Sequence, residues 1–338
     1  MIEAQPQLLD ATVKQCCATF YGSDAARFLL GESFHPGGTQ LTHELGQRLG
    51  LGPHSRVLDV ASGQGTSALY LAETFGCEVV GIDFSEENVR LARANADERG
   101  FATRVTFVLG DAEHLPFPNA DSDAGFSAIV CECAFCTFPN KAAAAAEFFR
   151  VLAPGGRLGL TDLTKAAGVA AELDGLLAWI ACIGDAQPAE RYETWLRSAG
   201  FGIEERLDRS GCLVEMVRRV SGRLLIADLM TGLRKLDLPG FDPAQVKQFL
   251  AAASKAISHG ELGYVLLLAF KAVTTRATSE HGMDPASSVT MAPLIPRSSH
   301  PTPAPNDRRL EPGARRARPN ERENVSRSTH FLRSISSV

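Results

Sequence analysis

Short apolar runs alternate with amphipathic stretches through the first half of the chain. Five of these runs predict strands, at 56–60, 78–82, 105–109, 128–131 and 157–161. The stretches between them carry apolar residues at helical spacing, and Ser85 has the character of a helix N-cap. Strands that alternate with helices of ten to fifteen residues are typical of βαβ units and a parallel sheet. A late apolar run at 262–272 predicts a last strand that joins this sheet.

The fold class that these elements predict is α/β. We expect a Rossmann-like, doubly wound and mostly parallel sheet of seven strands, with a helical insertion or cap and a disordered C-terminal tail. The tail, 277–338, contains eight of the eighteen prolines, nine Arg and no Lys, and it lacks a sustained apolar period. Too little apolar surface is present there to offset the entropy lost on ordering the segment.

Charge and cysteine usage limit the kinds of function to consider. The tail has a net charge of +3 and residues 1–276 have a net charge of −8, which argues against a nucleic-acid partner. No run of eighteen apolar residues predicts a membrane span, and the acidic first ten residues lack a signal core. We therefore expect a cytoplasmic protein in which the eight cysteines are thiols, metal ligands or reactive groups.

The candidate ligand chemistry lies at the carboxyl ends of the first three strands. The first strand runs into Asp59–Gly65, where two glycines permit a tight turn and a close approach of a ligand to the backbone. Asp83 ends the second strand, where it can accept hydrogen bonds from ribose hydroxyls. Asp111 follows the third strand, where its carboxylate can accept a hydrogen bond from an adenine amino group. Together these three strand ends predict a nucleotide site.

These motifs resemble those of the class I S-adenosylmethionine-dependent methyltransferases. The resemblance is carried by VLDVASGQG at 57–65, GIDFS at 81–85, GDAEHLPFP at 110–118 and LAPGGRLGLTD at 152–162, and it covers about residues 20–275. A dinucleotide enzyme usually has a third glycine where this chain has Ala68, and Asp59 within the strand is unlike most such enzymes. The resemblance implies S-adenosylmethionine as the cofactor and a small-molecule acceptor as the partner.

The resemblance also implies which residues contact the cofactor. They are Asp59, Ala61, Ser62, Gly63 and Gly65 at the methionine part, Asp83 and Phe84 at the ribose and adenine, Asp111 and Ala112 at the adenine edge, and Cys131 on the fourth strand. Four regions follow from the same resemblance. They are an N-terminal helical lid at 1–50, an S-adenosylmethionine-binding core at 51–165, a helical substrate-side region at 166–276 that completes the sheet, and the tail at 277–338.

Cysteines cluster where the fourth strand ends, the position that faces the methyl group in this fold. A narrower resemblance, to the arsenite methyltransferases, rests on an adjacent pair, Cys16 and Cys17, a strand-end Cys133 ahead of FPNK, and Cys182 before a helix. In that family thiolates hold trivalent arsenic, whose lone pair attacks the methyl group. The resemblance implies Cys133 and Cys182 as catalytic and substrate-binding residues, with Cys16 or Cys17 as a third thiolate. Glu132 stands where that family usually has Asn.

An organic acceptor, such as a quinone, a lipid or a natural product, is the alternative that the sequence leaves open. Such an acceptor needs a base or a polar anchor, for which His35, Glu132 and Tyr192 are candidates. A module that binds the cofactor without catalysis is a third interpretation, and the nearly complete set of cofactor motifs argues against it. The cysteine spacing differs from that of zinc ribbons and fingers, so no metal site is expected.

Overall fold

The computed structural model describes residues 14, 20–21, 23–31, 33–120, 125–166, 173, 178, 181–231 and 243–273. The predicted disordered tail at 277–338, and also Cys16 and Cys17, lie outside these residues. Within the described ranges, no helix is long and apolar enough to span a membrane.

Strands and helices alternate along the chain as the hydrophobic pattern predicts. The strands are β1 (Arg56–Val60), β2 (Glu78–Asp83), β3 (Val105–Leu109), β4 (Phe126–Glu132), β5 (Leu152–Lys165), β6 (Gly202–Asp208) and β7 (Leu262–Phe270). The helices are α1 (Asp24–Leu30), α2 (Gly38–Arg48), α3 (Thr66–Phe75), α4 (Glu86–Glu98), α5 (Lys141–Val151), α6 (Ala189–Ala199), α7 (Ser210–Thr231) and α8 (Pro243–Ser258), with a 3₁₀ turn at Phe135–Thr137.

One sheet contains all seven strands, in the order β3-β2-β1-β4-β5-β7-β6. Neighbours are parallel from β3 to β5, and β7 is antiparallel to both strands beside it. The predicted fold class is therefore confirmed. The strand order reverses between β1 and β4, where Val60 pairs with Cys131. Ligands of open α/β sheets bind beside this switch, beyond the carboxyl ends of the strands.

β6 is a strand that the hydrophobic pattern does not indicate. It lies at the edge of the sheet and reads GIEERLD, with no apolar run and no fully buried residue. Only Ile203 and Leu207 of this strand pack against the core, because an edge strand with one solvated face needs few apolar residues. By contrast, β7 lies between two strands and is apolar along nearly its whole length, as the run at 262–272 predicts.

The helices divide between the nucleotide half and the C-terminal half of the sheet. The side chain of Ser85 caps α4 by accepting a hydrogen bond from the Asn88 amide at 3.3 Å, as the sequence pattern predicts. At the other half, α7 and α8 pack against each other and against β7, and α1 packs against α7. These three helices cover the edge of the sheet where β5 ends and β7 begins.

Close packing between β2 and β3 provides a test of the fold. A Cβ on Gly81 would lie 2.4 Å from the ring of the buried Phe107, so we expect Gly81→Ala to destabilise the protein by about 1–3 kcal/mol. Gly52→Ala is the matched control, since its Cβ would meet nothing within 4 Å. Urea unfolding measures both variants. Equal stability of the two variants would contradict the packing described here.

Candidate active site

A first cavity lies at the carboxyl ends of β1, β2 and β4, beside the switch in strand order. Eight of the ten residues that the sequence assigns to the cofactor line it: Asp59, Ala61, Ser62, Gly63, Asp83, Phe84, Asp111 and Ala112. Lys14, Tyr21, Phe34 and His35 of the N-terminal region line it as well. The sheet edge and the N-terminal region therefore form the walls of one site.

Gly65 and Cys131 do not line this cavity. Gly65 has φ +85° and precedes α3, and a Cβ there would lie 2.5 Å from the ring of Phe107. Its role is to let the turn pack closely against β3. Cys131 is completely buried in β4, and burial, followed by the charge of Asp162, raises the pKa of its thiol well above the ordinary value. It is a core residue of the central strand.

Asp83 joins the glycine turn to the start of α4. Its Oδ2 accepts a hydrogen bond from the Gly63 amide at 2.8 Å, and its Oδ1 accepts from the Ser85 amide at 2.9 Å and from Asn88 Nδ2 at 3.2 Å. Burial raises the pKa of this carboxyl group, although the three donors act in the opposite direction. The carboxylate thus fixes the loop after β1 relative to the loop after β2.

Buried oxygen atoms without hydrogen-bond partners concentrate in the first cavity. In the described part of the chain the side-chain atoms of this kind are Ser33 Oγ, Asp59 Oδ2, Ser62 Oγ and Asn88 Oδ1, and all four residues line it. Burial raises the pKa of Asp59 well above its usual range, and the carboxylates of Glu132 and Asp83 raise it further. The cavity therefore suits a cationic ligand that carries several hydrogen-bond donors.

Lys14 of the N-terminal region contacts the residues that are predicted to bind the adenine. The Lys14 ammonium lies 2.7 Å from Asp111 Oδ2 and 2.8 Å from Glu113 Oε2. It also lies 5.8 Å from the centroid of the Phe84 ring. The other Asp111 oxygen accepts from the Glu113 amide at 3.0 Å. Both oxygens of the carboxylate assigned to the adenine edge are therefore engaged within the chain.

Glu132 forms a buried polar cluster at the end of β4. Its carboxylate accepts from Ser67 Oγ at 2.7 Å and from Thr42 Oγ1 at 3.0 Å, and His35 Nε2 lies 3.5 Å away. The sequence indicates Glu132 and His35 only as candidates for a base, and it gives no signal for Thr42 or Ser67, which come from two different helices. Tyr192, the third candidate, lines neither cavity, and its hydroxyl donates to the Leu163 carbonyl at 2.8 Å.

Three thiols meet beside the first cavity, which Cys133 and Cys182 line and Cys136 does not. Cys133 directly follows β4, Cys136 lies in the 3₁₀ turn, and Cys182 comes from the segment before α6. The predicted pair Cys133 and Cys182 is therefore brought together, and Cys136 joins it. Tyr21 Oη lies 3.2 Å from Cys182 Sγ, although the two residues are 161 positions apart. The sequence alone gives no signal for this last contact.

Strained backbone occurs at three residues that line the first cavity. In the described ranges, the non-glycine residues with positive φ are Ala61 (58°), Cys133 (55°) and Cys182 (61°), and all three line the first cavity. Residues other than glycine rarely adopt this left-handed backbone conformation, because it costs of order 1–3 kcal/mol for each residue. Strained residues of this kind cluster at functional sites.

The three thiols share their protons unequally. Hydrogen bonds from Cys133, Cys136 and Tyr21 hold the pKa of Cys182 well below the ordinary value of a thiol. The hydrogen bond to Cys182, followed by burial, raises the pKa of Cys133. Burial, followed by a hydrogen bond to Cys182, raises the pKa of Cys136. As a thiolate, Cys182 accepts from its neighbours; as a thiol, it donates to the Cys133 carbonyl at 3.4 Å. The cluster therefore favours ionisation of Cys182 over that of Cys133 and Cys136.

A second cavity lies beyond this thiol wall, between α1, α7, α8 and the start of β7. It shares Tyr21, Phe34, Cys133 and Cys182 with the first cavity. Nineteen of its twenty-two lining residues have apolar side chains, including Leu213, Val217 and Leu224 of α7 and Phe249 of α8. The site thus consists of a polar, acidic cavity and an apolar cavity with a common wall.

Comparison with known proteins agrees with this geometry. A family model described as a methyltransferase domain matches residues 51–200. The chain is 30% identical over 236 residues to the 27-O-demethylrifamycin SV methyltransferase of Amycolatopsis mediterranei, which covers 69% of this chain and 83% of that protein. The chain belongs to the class I S-adenosylmethionine-dependent methyltransferases.

Other methyltransferases share less of the sequence or only the fold. The sterol 24-C-methyltransferase erg6 of Schizosaccharomyces pombe is 28% identical over 218 residues, which are 64% of this chain and only 53% of that protein. A solved geranyl diphosphate C-methyltransferase from Streptomyces coelicolor A3(2), in complex with Mg²⁺, geranyl diphosphate and S-adenosyl-L-homocysteine, superposes with a TM-score of 0.60 at 13% identity. It covers 77% of this chain and 98% of that chain.

The first cavity fits the cofactor of this methyltransferase class. S-adenosylmethionine carries a sulfonium, an ammonium and two ribose hydroxyls, and it supplies an activated methyl group. The unpartnered oxygens of Ser33, Asp59, Ser62 and Asn88 can accept hydrogen bonds from the ammonium and hydroxyl groups. The buried carboxylates complement the two positive charges. The enzyme is therefore a small-molecule methyltransferase that depends on S-adenosylmethionine.

Asp59→Asn tests the buried carboxylates of the first cavity. Because the folded protein raises the pKa of Asp59, ionisation lowers the stability of the cofactor-free enzyme as pH rises above about 4. We expect Asp59→Asn to raise Tm at pH 8, with the gain disappearing towards pH 4.5, and to weaken S-adenosylmethionine binding by about 1–3 kcal/mol. Thermal unfolding and calorimetry measure the two effects.

Asp97→Asn, on the exposed side of α4, is the control for this experiment, and we expect it to change neither quantity. A Tm of Asp59→Asn that stays below the wild-type value at every pH would contradict the assignment of Asp59 as a destabilised buried carboxyl group.

Alkylation by iodoacetamide tests the unequal thiols. Since the pKa of Cys182 is lowered and that of Cys212 is raised by burial, the alkylation rate of Cys182 should level off at a lower pH than that of Cys212. Removal of one donor in Tyr21→Phe should raise the pKa of Cys182, which shifts its rate profile to higher pH and leaves its rate at pH 10 unchanged.

Peptide mass spectrometry follows each cysteine separately. Identical pH profiles for Cys182 and Cys212 in the wild-type enzyme would show that Cys182 is an ordinary thiol.

Proposed function

We propose that the enzyme transfers the methyl group of S-adenosylmethionine to an organic small molecule held in the second cavity. The observation that carries this proposal is the wall of Tyr21, Phe34, Cys133 and Cys182 common to both cavities. In-line displacement needs the nucleophile about 3 Å from the methyl carbon, on the side away from the sulfur. Two adjoining cavities, one acidic and one apolar, provide separate sites for donor and acceptor. The names of the rifamycin and sterol relatives describe organic acceptors as well.

The cofactor assignments of individual residues belong to the same proposal. Asp59 and Ser62 would hold the methionine part, Asp83 the ribose, and Phe84 with Asp111 the adenine. The buried oxygens of Asp59 and Ser62 without partners support the first of these assignments. Asp111 would have to release Lys14, or bind the adenine amino group beside it.

In this proposal, the residues that line the two cavities promote the reaction mainly by excluding water from the junction. The side chains of Phe34 and Phe138 line the first cavity, and an apolar second cavity leaves few sites at which water could bind. A dry junction protects the activated methyl group from hydrolysis and strengthens its interaction with the nearby carboxylates. For an acceptor that must lose a proton, Glu132, His35 and Cys182 are candidate bases that line the first cavity near the junction.

A thiol-bound acceptor such as trivalent arsenic is the second candidate. The convergence of Cys133, Cys136 and Cys182 favours it. Two observations weigh against it. The contact with Cys182 and burial raise the pKa values of Cys133 and Cys136, which disfavours the thiolate forms that soft centres prefer. In addition, the described residues contain no group of three or more His, Cys, Asp or Glu side chains arranged to hold a metal ion.

Transfer of a labelled methyl group distinguishes the two candidates. Purified enzyme is incubated with S-adenosylmethionine labelled in the methyl group, and with quinols, sterols, polyketide phenols or arsenite with a thiol. We expect label in an organic acceptor and none in arsenic, and Cys136→Ser should keep at least half of the activity. Label in arsenic that is lost in both Cys133→Ser and Cys182→Ser would establish the second candidate instead. Asp97→Asn serves as the surface control.

A further inference from the structure

Among the residues that the structure describes, no Asp, Glu, Lys, Arg or His lines the second cavity, and the ionisable side chains that do line it stand at one end. Among its lining residues, all within the described part of the chain, only Tyr21, Cys133 and Cys182 can ionise. These three also line the first cavity, so every group able to form a strong hydrogen bond stands at the junction.

Most charged residues of the two covering helices are exposed, and the half-buried Arg223 of α7 donates to the Phe28 and Leu29 carbonyls of α1 and does not line the cavity. On α7, Glu215 and Arg218 form an ion pair with both side chains 76% exposed, and on α8 Lys247 is exposed. The inner faces of these helices carry the apolar positions Leu213, Val217 and Val220 on α7 and Phe249 and Ala253 on α8. A charged group bound between the apolar inner faces would therefore be desolvated without a partner, which disfavours its binding.

We infer that the second cavity binds an uncharged acceptor with a bulky apolar body, of the isoprenoid or polyketide type, and rejects acceptors that carry phosphate, carboxylate or ammonium groups. The methyl-accepting atom must belong to the polar end of that molecule, because Tyr21, Cys133 and Cys182 supply the polar wall where the two cavities join. This inference rests on the proposed function, since it names the class of organic acceptor that the enzyme takes.

A binding assay tests this inference without turnover. The full-length enzyme with S-adenosyl-L-homocysteine is titrated with the uncharged fluorophore N-phenyl-1-naphthylamine, which brightens in apolar surroundings. Geraniol and geranyl diphosphate then compete for the site, because they have the same apolar chain and differ only in charge. We expect geraniol to displace the fluorophore at a concentration at least tenfold lower than geranyl diphosphate. Equal displacement by the two compounds, or no binding of the fluorophore at all, would overturn the inference.

Three variants of α7 locate the binding to the second cavity. Val217→Trp fills the cavity and should reduce the affinity for the fluorophore at least tenfold, whereas Val214→Trp, at a 41% exposed position of the same helix that does not line the cavity, should change it less than twofold. Val217→Lys should reverse the preference towards geranyl diphosphate, because it adds the missing positive charge. Equal affinities of the two Trp variants, or an unchanged preference in Val217→Lys, would place the fluorophore elsewhere and overturn the inference.

Calorimetry with S-adenosylmethionine shows whether each variant is folded, since the cofactor contacts a different cavity. The outcome is also separable from that of the proposed function. An enzyme that prefers geraniol but labels only arsenite refutes the organic acceptor, whereas one that labels an organic phosphate ester and binds both geranyl compounds equally refutes only the uncharged class.

Discussion

The geometry of the site depends on the hydrogen bonds that the Asp83 carboxylate accepts. This carboxylate accepts hydrogen bonds from Gly63, Ser85 and Asn88, and so ties the turn after β1 to the first turn of α4. Burial removes this carboxylate from water and raises its pKa. The hydrogen bonds from the three donors offset part of that cost. This connection holds the turn at Gly63, whereas Asp59 is positioned by the pairing of β1 with β2 and β4, so the two together set the acidic wall of the first cavity.

Much of the nucleotide half could be predicted from the sequence, because its signals are local. Each of the first five strands coincides with an apolar run, and the ligand-facing residues lie within three positions of a strand end. Parallel strands bring such ends together whatever the rest of the chain does. Gly65 ends the first motif and Cys131 lies near the end of β4, but the turn at Gly65 and the pleat of β4 direct both residues into packing. Spacing along the chain does not reveal that difference.

The acceptor half could be predicted only in part, because its contacts are distant in sequence. The proximity of Cys133 and Cys182 was expected from a family resemblance, whereas that of Tyr21 to Cys182 depends on how the N-terminal region crosses the sheet. The apolar face of α7 does have a signal, in Leu213, Val217, Val220 and Leu224 at helical spacing. That pattern predicts a buried face, but it cannot distinguish a cavity wall from solid core.

The left-handed backbone at Cys133 and Cys182 has an evolutionary consequence. Glycine adopts these φ angles without steric cost, so replacement by glycine is the change that relieves the backbone strain at both positions. A lineage that no longer needed sulfur at the junction would be free to drift in that direction. Relatives with glycine at either position would therefore mark where in the family the thiol lost its role.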